Sequence, residues 1–209
     1  MDLVRTFGSL THHSAHWVMW LLLALSVTAI AVVMERAVLF LASKDDMAEL
    51  RAELRRLLSD GELEAARRRL ESSPSFEARV AAAGLDADGT ESAEERMRGE
   101  TELVRLTMEK NLAFLGTLGN NAPFVGLLGT VIGIVRAFRE LSASTGQLSA
   151  ALLAEIGEAL VATAIGLLVA LPAVAFFNLY QRLIRARISR SEALVREILA
   201  FRKASVGAA

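Results

Sequence analysis

The chain has 209 residues, 53% of them apolar and 22% charged, with a formal net charge of -1 and a mean hydropathy of +0.40. That mixture suits alternating membrane and aqueous segments better than one soluble domain. Absence of cysteine excludes disulfides, thiolate metal sites and cysteine nucleophiles, and the near-zero charge argues against a nucleic-acid partner, which calls for a concentrated basic surface.

Three stretches carry no Asp, Glu, Lys or Arg: Leu10 to Met34, Asn111 to Val135 and Ala159 to Gln181. Each exceeds the roughly 20 residues needed to cross a hydrocarbon core. The chain therefore reads as an all-α membrane protein with three transmembrane helices. The expected segments are an outer N-terminus (1–13), helix one (14–34), a cytoplasmic helical loop (35–110), helix two (111–135), an outer connection (136–158), helix three (159–181) and a cytoplasmic helical tail (182–209). The first stretch does not read as a cleaved signal peptide, because only Arg5 precedes it and Glu35-Arg36 stands where cleavage would fall.

Charge orients the spans. Lys and Arg number 1 before the first span, 13 between the first and second, 2 between the second and third, and 7 after the third. This bias puts the loop and tail in the cytoplasm, with Arg36, Lys44, Arg51 and Arg55 near one end of the loop and Arg96, Arg98, Arg105 and Lys110 near the other. Trp17, Trp20 and Tyr180 fit the headgroup layers. His12, His13 and His16 lie on the outer side without acidic or thiol partners in view, and no role is assigned to them.

Within the loop, Leu50, Leu54, Leu57 and Leu58 form one face of an amphipathic helix ending at Asp60-Gly61. A second helix is expected from Glu62 to Leu70 and a third from Phe76 to Leu85, followed by a turn over Asp86 to Thr90. The loop's acids and bases alternate at helical spacing and read as solvated faces. Ser92 and Glu95 form a capping box, from which one helix is expected to continue unbroken into span two. The apolar pattern from about Leu148 to Leu199 predicts another continuous helix of roughly 75 Å. Helices two and three are thus expected to extend far into the cytoplasm, where apolar stripes call for a helical bundle within the subunit and with neighbouring copies.

Span two holds Gly116, Gly119, Gly126, Gly129 and Gly133, with Pro123 in its middle; span three holds Gly166 among alanines, with Pro172 further on. Small residues permit close helix approach in lipid. Thr130 and Thr163 fall at similar depth on antiparallel helices, roughly 6 to 8 Å below the outer edge. Their hydroxyls either line a shared polar pathway or each bond a carbonyl one turn back. Glu158 stands at the outer mouth of span three as a cation collector or a helix-start acid, and helical phase turns it about 140° away from Thr163. No ionisable side chain lies deep in any span, so a proton pathway needs a carboxylate from a partner. Asn120, Asn121 and Asn178, near the cytoplasmic ends, can hydrogen-bond but do not titrate.

The runs Ala122-Pro-Phe-Val-Gly-Leu-Leu-Gly-Thr-Val-Ile-Gly-Ile134, Ile156-Gly-Glu-Ala-Leu-Val-Ala-Thr-Ala-Ile-Gly-Leu167 and Leu171-Pro-Ala-Val-Ala-Phe-Phe-Asn178 closely resemble the TolQ/ExbB branch of the MotA/TolQ/ExbB proton channel family. The resemblance extends to chain length, three spans and the large loop; the MotA branch has four spans. It implies a homopentamer around two copies of an ExbD- or TolR-like single-span partner carrying a membrane aspartate. Proton influx through the bacterial inner membrane would drive motion coupled, through a TonB- or TolA-like or motility component, to periplasmic or outer-membrane work. It assigns Thr130, Thr163 and Glu158 to the proton pathway, and it fits Pro123, Gly126, Gly129, Gly133, Gly166, Pro172 and Asn178 as packing and pore-shape positions. No enzyme activity, cofactor or metal is expected. The rival readings are a passive helical membrane scaffold and a small-solute transporter subunit; the process powered is left open.

Overall fold

The computed structural model describes residues 16–87, 89–143 and 149–207. Among them the chain is all-helical: α1 (His16–Ala42), α2 (Met47–Ser59), α3 (Leu63–Glu71), α4 (Phe76–Leu85), α5 (Thr90–Glu109), α6 (Leu112–Ala143) and α7 (Ala150–Gly207). Helices α1, α6 and α7 are long and apolar enough to cross a membrane. His12 and His13 lie outside the described residues.

The residues form two compact units, one built from 16–33 and 111–178, the other from 34–110 and 179–207. The first holds the apolar spans. Many of its large side chains point outward, including Leu168, Leu171 and Phe124, the pattern of helices whose surroundings are as apolar as their cores.

The second unit is organised by the short helices. Asp46 caps α2, its carboxylate accepting from the amides of Ala48 (2.9 Å) and Glu49 (3.1 Å). The expected face of α2 is buried in full: Leu50, Leu54, Leu57 and Leu58. Its stop is at Asp60-Gly61, where Gly61 takes φ +75°. Ser75 caps α4 through the Ala78 amide.

At the centre of this unit Arg187 of α7 reaches the last turn of α1. Its guanidinium donates to the carbonyls of Phe40 (2.9 Å) and Ser43 (2.6 Å) and to the Glu77 carboxylate (3.2 Å). It also lies over the rings of Phe40 and Phe76, with Phe40 stacked on Tyr180. A cation here satisfies carbonyls that a helix end leaves without partners and opposes the negative end of the dipole. Arg36, equally buried, donates to the Thr107 carbonyl at 2.9 Å and to Glu35 at 2.6 Å.

Three expectations need correction. Glu77 is no solvated acid but fully buried, since its helix turns Phe76, Ala78, Val80 and Ala81 inward around it. Ser92 does not cap a helix, because α5 already starts at Thr90 behind Gly89, whose φ of +85° and lack of a side chain end the preceding turn. The helix from this region does not run unbroken into span two, so helix two has no continuous extension on that side. It stops at Glu109, and Asn111 adopts φ +64° before α6 begins, a left-handed conformation that Asn tolerates better than most residues. Helix α7, by contrast, does continue for 58 residues, well past Gln181. Helix α6 reaches Ala143, so much of the expected outer connection is helical.

Candidate functional site: a threonine pair on a small-residue seam

Helices α6 and α7 meet along their glycines. A side chain added at Gly126 would stand 2.8 Å from the Ala162 carbonyl oxygen and 3.0 Å from Cα of Thr163; one at Gly166 would stand 2.7 Å from the Ala122 carbonyl oxygen and 3.0 Å from Cα of Gly126. These are backbone atoms, which cannot swing aside, so only glycine fits at either position. Gly129 sits over Ala162 and Gly133 over Ala159, continuing the seam.

That closeness brings Thr130 and Thr163 together. Their hydroxyls are in direct hydrogen-bond contact. Thr163 also points its hydroxyl at the Gly126 carbonyl across the seam (3.2 Å), and Thr130 points at the Ala159 carbonyl (3.1 Å), closer than its own Gly126 carbonyl at 3.4 Å. Each hydroxyl has a single hydrogen, so the set contains more acceptors than protons. Such a group can switch which acceptor it serves without moving a heavy atom. Bonding one turn back, the ordinary outcome for a threonine in a span, is what Thr28 does, donating to the Ala24 carbonyl at 2.9 Å. Thr163 points across the seam instead, and Thr130 reaches across it while keeping a longer contact to its own Gly126 carbonyl. Both threonines are half-buried, neither sealed in the seam nor open.

Glu158 does not join the threonines, in keeping with its phase on the helix. Its Oε1 lies 3.1 Å from Nδ1 of His16 on α1. The view of the outer histidines as lacking an acidic partner is thereby corrected for His16: the two residues lie far apart in sequence, and only the packing of α1 beside α7 joins them. One turn before Glu158, Glu155 is held by Arg136 of α6 at 2.8 Å, a cross-helix tie with no local sequence signal. Pro123 and Pro172 lie inside α6 and α7. Asn178 is exposed, and Asn121 donates to the Thr117 carbonyl of its own helix at 2.7 Å.

Among the described residues no group of acids and histidines is arranged to hold a metal ion. The first unit instead offers a polar, uncharged spot within an apolar bundle and a carboxylate beside an imidazole at the start of α1. Its hydroxyls can donate and accept hydrogen bonds, but the span interior supplies no side chain that ionises near neutral pH.

The profile of the MotA/TolQ/ExbB proton channel family matches residues 72–193, more than half of the chain. Over 79 residues the chain is 43% identical to an ExbB-like biopolymer transport protein of Helicobacter pylori, covering 38% of this chain and 53% of that one. Over 119 residues it is 38% identical to the Tol-Pal system protein TolQ of Pseudomonas aeruginosa, covering 56% and 48%. The chain thus spans about half the length of the curated relatives it matches. The solved structure of C. jejuni MotAB superposes with a TM-score of 0.60 at 22% identity, covering 83% of this chain and 70% of that one, a likeness of fold.

Proposed function

This chain belongs to the MotA/TolQ/ExbB proton channel family, and on that premise we propose that it is the stator subunit of a proton-driven motor of the ExbB/TolQ kind. It is a multi-pass membrane transport protein, not an enzyme. In this reading it sits in the bacterial inner membrane with its N-terminus periplasmic and its C-terminus cytoplasmic, as the Lys and Arg bias favours. Copies of the chain, five by family resemblance, surround two copies of an ExbD- or TolR-like partner, each contributing one membrane helix that carries an aspartate. Protons entering from the periplasm protonate and release that aspartate, and the resulting motion performs periplasmic or outer-membrane work.

The observation that carries the proposal is the Thr130–Thr163 pair on a seam whose spans have no titratable side chain at depth. Hydroxyls that share several acceptors provide hydrogen-bonding stations, while a deep charge would trap the proton or repel it. The group that gains and loses the proton then belongs to the partner. Thr130 and Thr163 serve as the polar wall, Glu158 as the mouth, and Gly126, Gly129, Gly133 and Gly166 keep the wall thin. Pro123, Pro172 and Asn178 are assigned to pore shape.

Cells in which the partner's membrane aspartate is replaced by asparagine provide the test. The proposal expects the powered process to stop while both proteins stay in the membrane. Unimpaired work would rule the proposal out and favour a scaffold.

A further inference from the structure

The proton pathway above gives no part to the titratable side chain that touches Glu158. His16, in the first turn of α1, has its Nδ1 3.1 Å from Oε1 of Glu158, with the imidazole 56% and the carboxylate 27% exposed. Although the residue is partly open, Oε1 itself is shut off from solvent and receives no hydrogen bond. A shielded carboxylate oxygen that accepts no hydrogen bond is costly to leave so, and the His16 imidazole stands at ion-pair distance from it.

The other charges nearby are already committed or further off. Glu155 is paired with Arg136 at 2.8 Å; Arg139 and Glu140 lie about one turn beyond Arg136 on α6 and have interactions of their own. His16 is therefore the cationisable group in direct contact with Glu158 among the described residues.

We propose that His16 is a positioning residue for Glu158: gaining a proton from the outer solution, the imidazole forms an ion pair that fixes the carboxylate and cancels its charge at the pathway mouth. This rests on the reading of Glu158 as that mouth. At alkaline outer pH the pair presents one negative charge and attracts cations; in acid it presents none. The mouth charge thus falls as outer proton concentration rises. Proton supply to the threonine pair would then grow less steeply than the outer proton concentration.

The test has two arms. In the first, thermal unfolding midpoints of the full chain in detergent are measured for the parent, H16Q, E158Q and the double variant, at about pH 5.5 and about pH 8. The proposal expects the two substitutions to be non-additive in acid and additive in alkali; additivity at both values overturns it. In the second, proton-dependent work of cells carrying H16Q with the natural partner is followed against outer pH. Work should persist, rising more steeply than the parent's as the medium is acidified, and an unaltered profile overturns the proposal. Failure of the underlying reading looks different: Glu158→Gln and Thr163→Val would both leave work intact at every pH, removing the pathway itself whatever the unfolding cycle shows.

Discussion

Thr130 and Thr163 exchange backbone partners. The hydroxyl of each is within hydrogen-bonding distance of the carbonyl one turn back from the other, Thr163 at Gly126 (3.2 Å) and Thr130 at Ala159 (3.1 Å). The exchange requires two helix backbones in contact, which Gly126 and Gly166 permit.

Replacing Thr163 by Val removes the hydroxyl at nearly constant volume. The expected cost in stability is small, about 1 kcal/mol, because interhelical hydrogen bonds in lipid contribute little. Proton-dependent work should nevertheless be lost, and Thr163→Ser should retain it. Work assays beside thermal unfolding of the same variants separate the two effects.

Gly126→Ala and Gly166→Ala each push a methyl group into backbone atoms at 2.8 Å or less. Both should destabilise the α6/α7 pair by about 1–3 kcal/mol and separate the threonines. Gly157, with open space where a side chain would go, is the control, and Gly157→Ala should leave the unfolding midpoint nearly unchanged.

The three spans were readable from the sequence because lipid demands long uncharged runs, and the α2 face because its leucines repeat at helical spacing. Similar depth of Thr130 and Thr163 on antiparallel helices was readable, whereas their contact was not, since bonding one turn back stayed open. What could not be read depends on contacts between distant segments. Arg187 looks like any tail cation, Glu77 like one acid among many, and His16 like an isolated interfacial residue. The break at Asn111 had a weak local signal, an Asn able to take positive φ, which the surrounding helix-favouring residues outweighed.

Arg187 and Glu77 should behave as a buried pair. Arg187→Leu leaves a carboxylate with 1% side-chain exposure without its cation, an expected loss of about 3–5 kcal/mol. Replacing both, Arg187→Met with Glu77→Leu, should recover much of that loss, as measured by denaturation of the detergent-solubilised chain.

Acid should weaken the second unit through two carboxyls. The Ser73 hydroxyl, with Arg69 beside it, holds Asp45 below the usual carboxylate range, and Arg55 and Arg51 hold Glu197 below it. A depressed carboxyl stabilises the fold above its unfolded value, about 4, and that contribution is lost as pH falls through the lower folded value. Unfolding midpoints should therefore drop below about pH 4. Asp45→Asn and Glu197→Gln should lower them at neutral pH and flatten the acid limb.

Proton flux into liposomes gives the most direct measurement of the central claim that this chain walls a path but cannot relay protons by itself. Vesicles holding the purified chain alone should show only background acidification under a pH gradient, and those holding the chain with its single-span partner should show flux that the partner's aspartate-to-asparagine change abolishes. Gradient-driven flux through the chain alone, at the rate of the complex, would contradict the account.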